Sequence, residues 1–398
     1  MNLNLIVNLK IKLIVLFSIC VYLYLSAVTI SAQGLPLAAP QAVGMSAEKL
    51  NRVDALVEKD IADKKLPGAV VVVGHKGKIV FRKAYGNRAL VPAIEKMTVD
   101  TIFDVASLTK VVATTTSVMI LVERGQIRLN DTIGKFIPEI EDEAVKKVTV
   151  QQLLTHTSGF APDFDLREKW TGRSGMLAAL YKEKLRQPAG TKFVYSDIGF
   201  IVLGEIVQRV VGSEKPVKVG NYPAVRVKGS EFSPFVSMNL FEPLLMNNTH
   251  FFITEFGNQG FYLPDTPKNI SKKKLGLALF APTENIKGQN NYLGSKFEGD
   301  DKSGNEILRG QVHDPTAFRM GGVAGHAGLF STGDDLARYC QMLLNGGILD
   351  GKRILSAQTV ARMTAPFVVS EDGATRGLGW DMNTAFSSNR GELFPLGS

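Results

Sequence analysis

Ser107 and Lys110 are three residues apart and could do chemistry together. A β-prone run, Thr101 to Val105, leads into the serine. Behind it, Leu108, Val111, Val112, Val118, Met119, Leu121 and Val122 are spaced as one face of a helix, and Gly125 follows as a stop signal. The spacing predicts Ser107 at or near a helix start, with Lys110 on the same face one turn on. A hydroxyl there meets unpaired backbone N–H groups and the positive end of the helix dipole. An amine beside it can take its proton where burial or a neighbouring cation disfavours the ammonium. The same residues also fit a plain N-cap serine followed by a solvated lysine, because Ser-x-x-Lys alone is too short to decide.

Other reactive side chains lie further on. Pro188-Ala189-Gly190 leads to Tyr195-Ser196-Asp197, and a helix follows with Ile198, Ile201, Val202, Ile206, Val207 and Val210 apolar. A tyrosine at a loop-to-helix junction can project into a cleft. The plainer reading is a half-buried Tyr195 with Asp197 as a helix cap. His156, in Thr155-His156-Thr157-Ser158-Gly159, fits a structural hydrogen bond to backbone better than a catalytic role. His313, Asp314 and His326 have no tight ligand spacing such as His-x-x-x-His, so no metal is expected. The glycines from Gly321 to Gly328 let backbone pack closely. Cys340, in the helical run Leu336 to Leu343, is expected to be a small buried apolar residue.

The elements that must position these groups are partly legible. Ser46 is placed to cap a helix carrying Leu50, Val53, Leu56, Val57 and Ile61 on one face. Two β-rich runs, Ala69–Val73 and Lys78–Arg82, flank Gly74-His75-Lys76-Gly77 and read as a hairpin, with His75 in the turn. Short helices are expected towards Phe136 and over Val148 to Leu154. Ser331 or Thr332 should cap the Leu336 helix, and Asn345-Gly346-Gly347 should end it. Residues 213–235 read as an irregular insertion, and 256–312 as a long loop of the kind that usually carries function.

The chain has 398 residues, 45% hydrophobic and 21% charged, an ordinary globular composition that suits one large domain or two lobes. Its net charge of +8 is spread without a dense basic cluster, and no nucleic-acid motif is present. Lys10 and Lys12 precede an uncharged run from Leu13 to Ile30, then Ser31-Ala32-Gln33. That order predicts residues 1–32 to be a secretory signal, with an uncleaved membrane anchor as the alternative. Residues 33–45 read as a linker and 46–398 as the folded domain. With Cys20 removed alongside the signal, Cys340 would have no intramolecular partner. The protein is then expected outside the cytoplasm, periplasmic or extracellular, with membrane association only through its N-terminal segment.

Taken together, these segments resemble the serine β-lactamase and penicillin-binding-protein superfamily, in the branch of class C β-lactamases, D,D-carboxypeptidases and related esterases. The resemblance rests on Ala106-Ser107-Leu108-Thr109-Lys110, on Leu153 to Gly159, and on Pro188-Ala189-Gly190 with Tyr195-Ser196-Asp197. Phe241-Glu242-Pro243-Leu244, Gly325-His326-Ala327-Gly328-Leu329-Phe330-Ser331 and Gly377-Leu378-Gly379-Trp380 add to it. Val312-His313-Asp314 paired with Gly321 to Gly328 looks most like D-Ala-D-Ala carboxypeptidases of the penicillin-binding-protein-4B type. Two departures stand out. Asp197 takes the place of the amide in the family's Tyr-x-Asn, and Leu245 that of a glycine. The family's Lys-Thr-Gly or His-Thr-Gly strand is not found before Ser398, so the chain is read as ending short of its C-terminal strands.

The resemblance implies an α+β fold of the β-lactamase/transpeptidase-like class: an antiparallel sheet flanked by helices, plus a mainly helical lobe. It implies an acyl-enzyme mechanism on an amide, lactam or ester. Ser107 would be the nucleophile, Lys110 its activating partner and Tyr195 the proton shuttle. Asp197, His313, His326 and Gly328 would bind substrate or support the site. Neither a cofactor nor a nucleic-acid partner is implied; the expected substrate is a small molecule or a cell-wall peptide. The alternative is a penicillin-recognising sensor, or an inactive truncated remnant, that binds without turnover.

Overall fold

The computed structural model describes residues 34–212, 232–252, 277–285, 307–371 and 373–387. The expected signal segment lies outside them. Ser46 caps helix α1 (Ala47–Ala62), its hydroxyl accepting the Lys49 N–H at 3.2 Å. Strands β1 (Gly68–His75) and β2 (Lys78–Ala89) then form an antiparallel hairpin. Its loop residues Lys76 and Gly77 have φ of 50° and 74°, the turn whose twist matches that of paired strands. Strand β3 (Glu95–Lys96) pairs with the far end of β2. Helix α1 lies against β2, where Tyr85 donates its hydroxyl proton to Asp54 at 2.5 Å.

A second small sheet sets the start of the reactive turn. It joins β4 (Phe103–Asp104), β5 (His250–Phe251) and β6 (Leu329–Ser331), with β6 in the middle and antiparallel to both neighbours. Just beyond β4, the Val105 N–H donates to the Leu329 carbonyl at 3.0 Å. From Leu108 to Glu123 the chain is helical. Lys110–Thr115 are wound as a π-helix and α2 (Thr116–Glu123) as an α-helix. The predicted apolar stripe is buried in its later part: Val112, Val118, Met119 and Leu121 face the core, whereas Leu108, beside the reactive serine, is 50% exposed.

Helix α3 (Val150–Leu154) starts with a capping box between Thr149 and Gln152. After α4 (Gly172–Tyr181) comes the central helix, α5 (Asp197–Gly212), buried from Ile198 through Gln208. A helix hydrophobic on every side belongs in a core, and α5 packs against α2, α3 and the π-helical turn. Its buried acid, Glu205, is met by Arg173 and by Arg209, each at 2.6 Å.

The remaining elements close over these. Asp314 caps the short α6 (Pro315–Arg319). Thr332 caps α7 (Gly333–Leu344), which packs on β1. A small hairpin, β7 (Ile348–Leu349) with β8 (Lys352–Arg353), leads to α8 (Ala357–Met363). Strands β9 (Phe367–Val368), β10 (Thr375–Arg376) and β11 (Asp381–Asn383) make a third sheet with β10 at its centre.

Two expectations need correction. Cys340 is exposed, not buried, because Tyr339 and Met342 take the inward positions of α7 and the intervening residue points elsewhere. The irregular stretch from 213 does not reach 235, since Phe232–Val236 form a helical turn with Phe232, Phe235 and Val236 buried; residues 213–231 lie outside the described part. Of the 256–312 loop, only 277–285 and 307–312 are described, tied to the second sheet by a bridge between Ile102 and Phe280. Leu245, read above as standing in place of a glycine, adopts the left-handed φ of 54°.

Candidate active site

The turn before the helix is held from several sides. Ala106 has φ of 45°, unusual for a residue with a Cβ. Asp104 Oδ1 accepts its N–H at 2.9 Å, and the Thr109 hydroxyl donates to its carbonyl at 2.6 Å. The other carboxylate oxygen of Asp104 accepts the His313 backbone N–H at 2.8 Å. This fixes Ser107 outward: the serine is exposed, while Lys110 is 2% exposed.

Lys110 has two hydrogen-bond acceptors and one ionic partner. Nζ donates to Ser107 Oγ at 3.0 Å and to the His326 carbonyl at 3.1 Å, and it lies 2.6 Å from Asp197 Oδ1. The Tyr195 ring is 4.8 Å away, placed for a cation–π contact. A buried ammonium is tolerated only when paired in this way. The structure therefore brings together Ser107, Lys110, Tyr195, Asp197 and His326 from three stretches of chain.

Tyr195 is half-buried, and its hydroxyl has no hydrogen-bond partner among the described residues. Its ring stacks on His156 at 4.4 Å. His156 Nδ1 accepts the Ser196 N–H at 3.0 Å, the structural role expected of it. Burial, then the nearby charges of Arg376 and Lys110, hold His156 well below the ordinary histidine range. It is a neutral wall, not a proton carrier.

Behind Lys110 sits a second group of charges. His326 is wholly buried, and its Nε2 lies 2.8 Å from Asp314 Oδ1. The same oxygen caps α6 through the Ala317 N–H at 2.8 Å. Burial pushes the Asp314 carboxyl up, but His326, the Ala317 N–H and Lys110 together outweigh it and hold the group at about 2. Burial also disfavours the His326 imidazolium, yet the Asp314 and Asp197 carboxylates leave its pKa raised. Polar atoms of Asp197, Asp314 and His326 lie within 4.8 Å of one another, a donor set a cation could use. The Lys110 ammonium already rests on Asp197 and would repel a metal there.

The other two predicted residues play backbone parts. The His313 side chain turns away to Glu284 at 2.9 Å, and only its N–H supports the turn, through Asp104. Gly328 has φ of 109°, and a Cβ there would meet the Gly322 carbonyl at 2.3 Å. Sequence reasoning gave no role to Asp104. An aspartate two residues before the strained Ala106 is an Asx-turn signal that could have found it.

Residues 53–394 match the sequence profile of the Beta-lactamase family. The chain belongs to that family. It is 32% identical over 361 residues to the N-acetylmuramyl-L-alanine amidase of Bacillus subtilis strain 168, covering 85% of this chain and 72% of that one. A Salmonella paratyphi A protein provisionally named D-alanyl-D-alanine carboxypeptidase is 29% identical over 387 residues, 90% of this chain and 78% of that protein. Among solved structures, a class C beta lactamase superposes with TM-score 0.59 at 20% identity, over 86% of this chain and 76% of the other. A Beta-Lactamase/D-Alanine Carboxypeptidase from Pseudomonas syringae gives TM-score 0.57 at 19% identity, over 84% and 76%. At such identities the structures show the fold. The β-lactamase family assignment makes this protein a serine hydrolase and its fold β-lactamase/transpeptidase-like.

Proposed function

We propose that this β-lactamase-family hydrolase is exported and cleaves an amide, lactam or ester of cell-wall peptides through an acyl-enzyme on Ser107. The observation that carries the reading is the 3.0 Å contact between Ser107 Oγ and the buried Lys110 Nζ. Ser107 Oγ forms a bond to the acyl carbon and releases its proton to Lys110. The leaving nitrogen or oxygen departs with a proton shuttled through Tyr195, and water then hydrolyses the acyl-enzyme by the reverse relay. Lys110 and Tyr195 act as one coupled pair, since each charge favours the other. The Ser107 backbone N–H at the helix start serves as one oxyanion donor. The amidase and carboxypeptidase names of its relatives favour a muropeptide substrate, and the basic, apolar, small-residue order of residues 1–32 favours export to the periplasm or cell surface.

One observation favours a second reading. The Asp197 carboxylate on Lys110 stabilises the charged amine and offers no donor to a substrate carbonyl. Both suit a penicillin-recognising sensor that acylates slowly and does not turn over. Assaying the full-length protein against a muropeptide, a penicillin and a chromogenic ester separates the two. Steady turnover of any of them supports the enzyme. Covalent penicillin labelling without turnover supports the sensor, and neither labelling nor turnover overturns both.

A further inference from the structure

The reaction above leaves the buried Asp314–His326 pair without a part. His326 touches Lys110 through its main chain: its carbonyl accepts the ammonium at 3.1 Å. Its side chain reaches the other way, to Asp314 at 2.8 Å. The surrounding loop is locked in place. The Gly325 carbonyl accepts the Thr114 hydroxyl at 2.6 Å, and the Leu329 N–H donates to the Thr109 hydroxyl at 3.1 Å. A Cβ on Gly325 would lie 2.0 Å from the Phe200 carbonyl on α5, so the loop is pressed against that helix. The charged groups facing the imidazole are Lys110 from the π-helical turn, Asp197 from α5, Asp314 at the start of α6, and Asp163 from the loop after α3. Asp163 is itself engaged by the Thr316 hydroxyl at 2.7 Å.

We propose that His326, held by Asp314, is a positioning residue for Lys110: a buried imidazolium within 4.8 Å of the Asp197 carboxylate that the Lys110 ammonium pairs with, whose charge favours Lys110 as the free amine. The inference rests on the reading that Ser107 attacks and Lys110 takes its proton. In that step Oγ bonds the acyl carbon, its O–H electron pair stays on oxygen, and the proton moves to Nζ. Only an uncharged amine can receive it. Asp197, 2.6 Å away, works against that by favouring the ammonium. A second cation near the same carboxylate works for it. With His326 charged, Lys110 and His326 balance Asp197 and Asp314. Without that charge, the carboxylates face Lys110 alone and hold its proton more firmly. The raised pKa of His326 agrees with the charged form, and Asp314 supplies the counter-charge that burial demands.

The test is the pH profile of His326→Gln, which keeps a side-chain N–H for Asp314 but no charge. Hydrolysis of p-nitrophenyl acetate would be followed as kcat/KM through the neutral and alkaline range. The rising limb should move to higher pH by about one unit, making the variant roughly ten-fold slower at neutral pH, with the alkaline plateau kept. A folded variant that is slower at every pH alike, its limb unmoved, overturns the inference. Ser107→Ala run alongside separates the two failures. Hydrolysis that persists in Ser107→Ala ends the nucleophile reading, whereas a silent Ser107→Ala with an unmoved His326→Gln limb ends only this inference. Nitrogen NMR of the unaltered protein, labelled at histidine, gives a result whether or not the variant folds. His326 should carry protons on both ring nitrogens at neutral pH, and a neutral ring overturns the proposal.

Discussion

Lys110 and Asp197 are joined by an ion pair of 2.6 Å, with the lysine side chain 3% exposed and the aspartate 23%. The pair links the π-helical turn to the first residue of α5. Asp197→Asn would replace an anion with a neutral amide that can still accept from Lys110 and can also donate to a substrate carbonyl. Covalent labelling by a fluorescent penicillin should then speed up by roughly ten-fold, the effect of one charge-assisted hydrogen bond. A slower time course would mean that orienting Lys110 matters more than releasing its proton.

Ser107→Ala should abolish that labelling altogether. The motive is the exposed hydroxyl held on Lys110 by the strained Ala106 turn. The variant removes one hydroxyl from an exposed position, so its thermal midpoint should stay close to the parent. Label found on another residue would reassign the nucleophile.

Tyr195→Phe should reduce turnover by ~10²–10⁴, the usual contribution of a general acid–base group. The stack on His156 needs only the ring, and the hydroxyl makes no hydrogen bond among the described residues, so stability should barely change. Equal loss of activity and stability would return Tyr195 to a packing role.

Asp314 makes stability depend on acid. Its carboxyl sits at about 2 against an ordinary 3.8, because His326, the Ala317 N–H and Lys110 together more than offset the upward push of burial. A depressed folded pKa stabilises above the unfolded value and is lost as pH falls from about 4 towards 2. The contribution is roughly 2 kcal/mol. Seen from the other end, the raised pKa of His326 gives stability that is whole below its ordinary 6.5 and fades as pH rises through the folded value. These are two views of one interaction and do not add. Urea unfolding of Asp314→Asn should show a loss of that size at neutral pH and a flatter acid arm, while the α6 cap survives through the amide oxygen. An acid arm unchanged in the variant would place the acid sensitivity elsewhere.

Gly325→Ala tests the contact between the His326 loop and α5. The added Cβ would meet the Phe200 carbonyl at 2.0 Å, and backbone must move to admit it. Overpacking of this kind typically costs about 1–3 kcal/mol. Activity should fall too, since any shift of the loop carries the His326 carbonyl off Lys110. A variant as stable and active as the parent would show that the loop has slack.

Much of this was legible in local patterns. The Ser107 helix, the Ser46 cap and the first hairpin each depend on residues a few positions apart and are where they were expected, although His75 ends strand β1 instead of lying in the turn; the cap of α7 falls on Thr332, one of the two residues offered for it. What stayed hidden depends on distant pairs. Strands β4, β5 and β6 are two or three residues long and meet from far apart in the chain, too short for any periodicity to register. Asp314 and His326 lie twelve residues apart, and only the turn between α6 and β6 brings them together. Cys340 was misjudged because a helix has more than one face, and composition does not say which face is turned inward.

The π-helical turn stores one residue of slack in the chain. Such a turn carries one more residue than the α-helical turn it replaces. Between the face bearing Ser107 and Lys110 and the stripe bearing Val118 and Leu121, the chain therefore holds a surplus residue. Removing one residue from Val111 to Thr115 would let the helix relax to the α-form, and because a π-turn winds less per residue than an α-turn, the residues downstream would keep nearly their present orientation relative to the serine. A one-codon deletion in this segment should therefore be milder than the same deletion within Thr116–Glu123, where no surplus residue exists and the downstream chain would swing by roughly 100°.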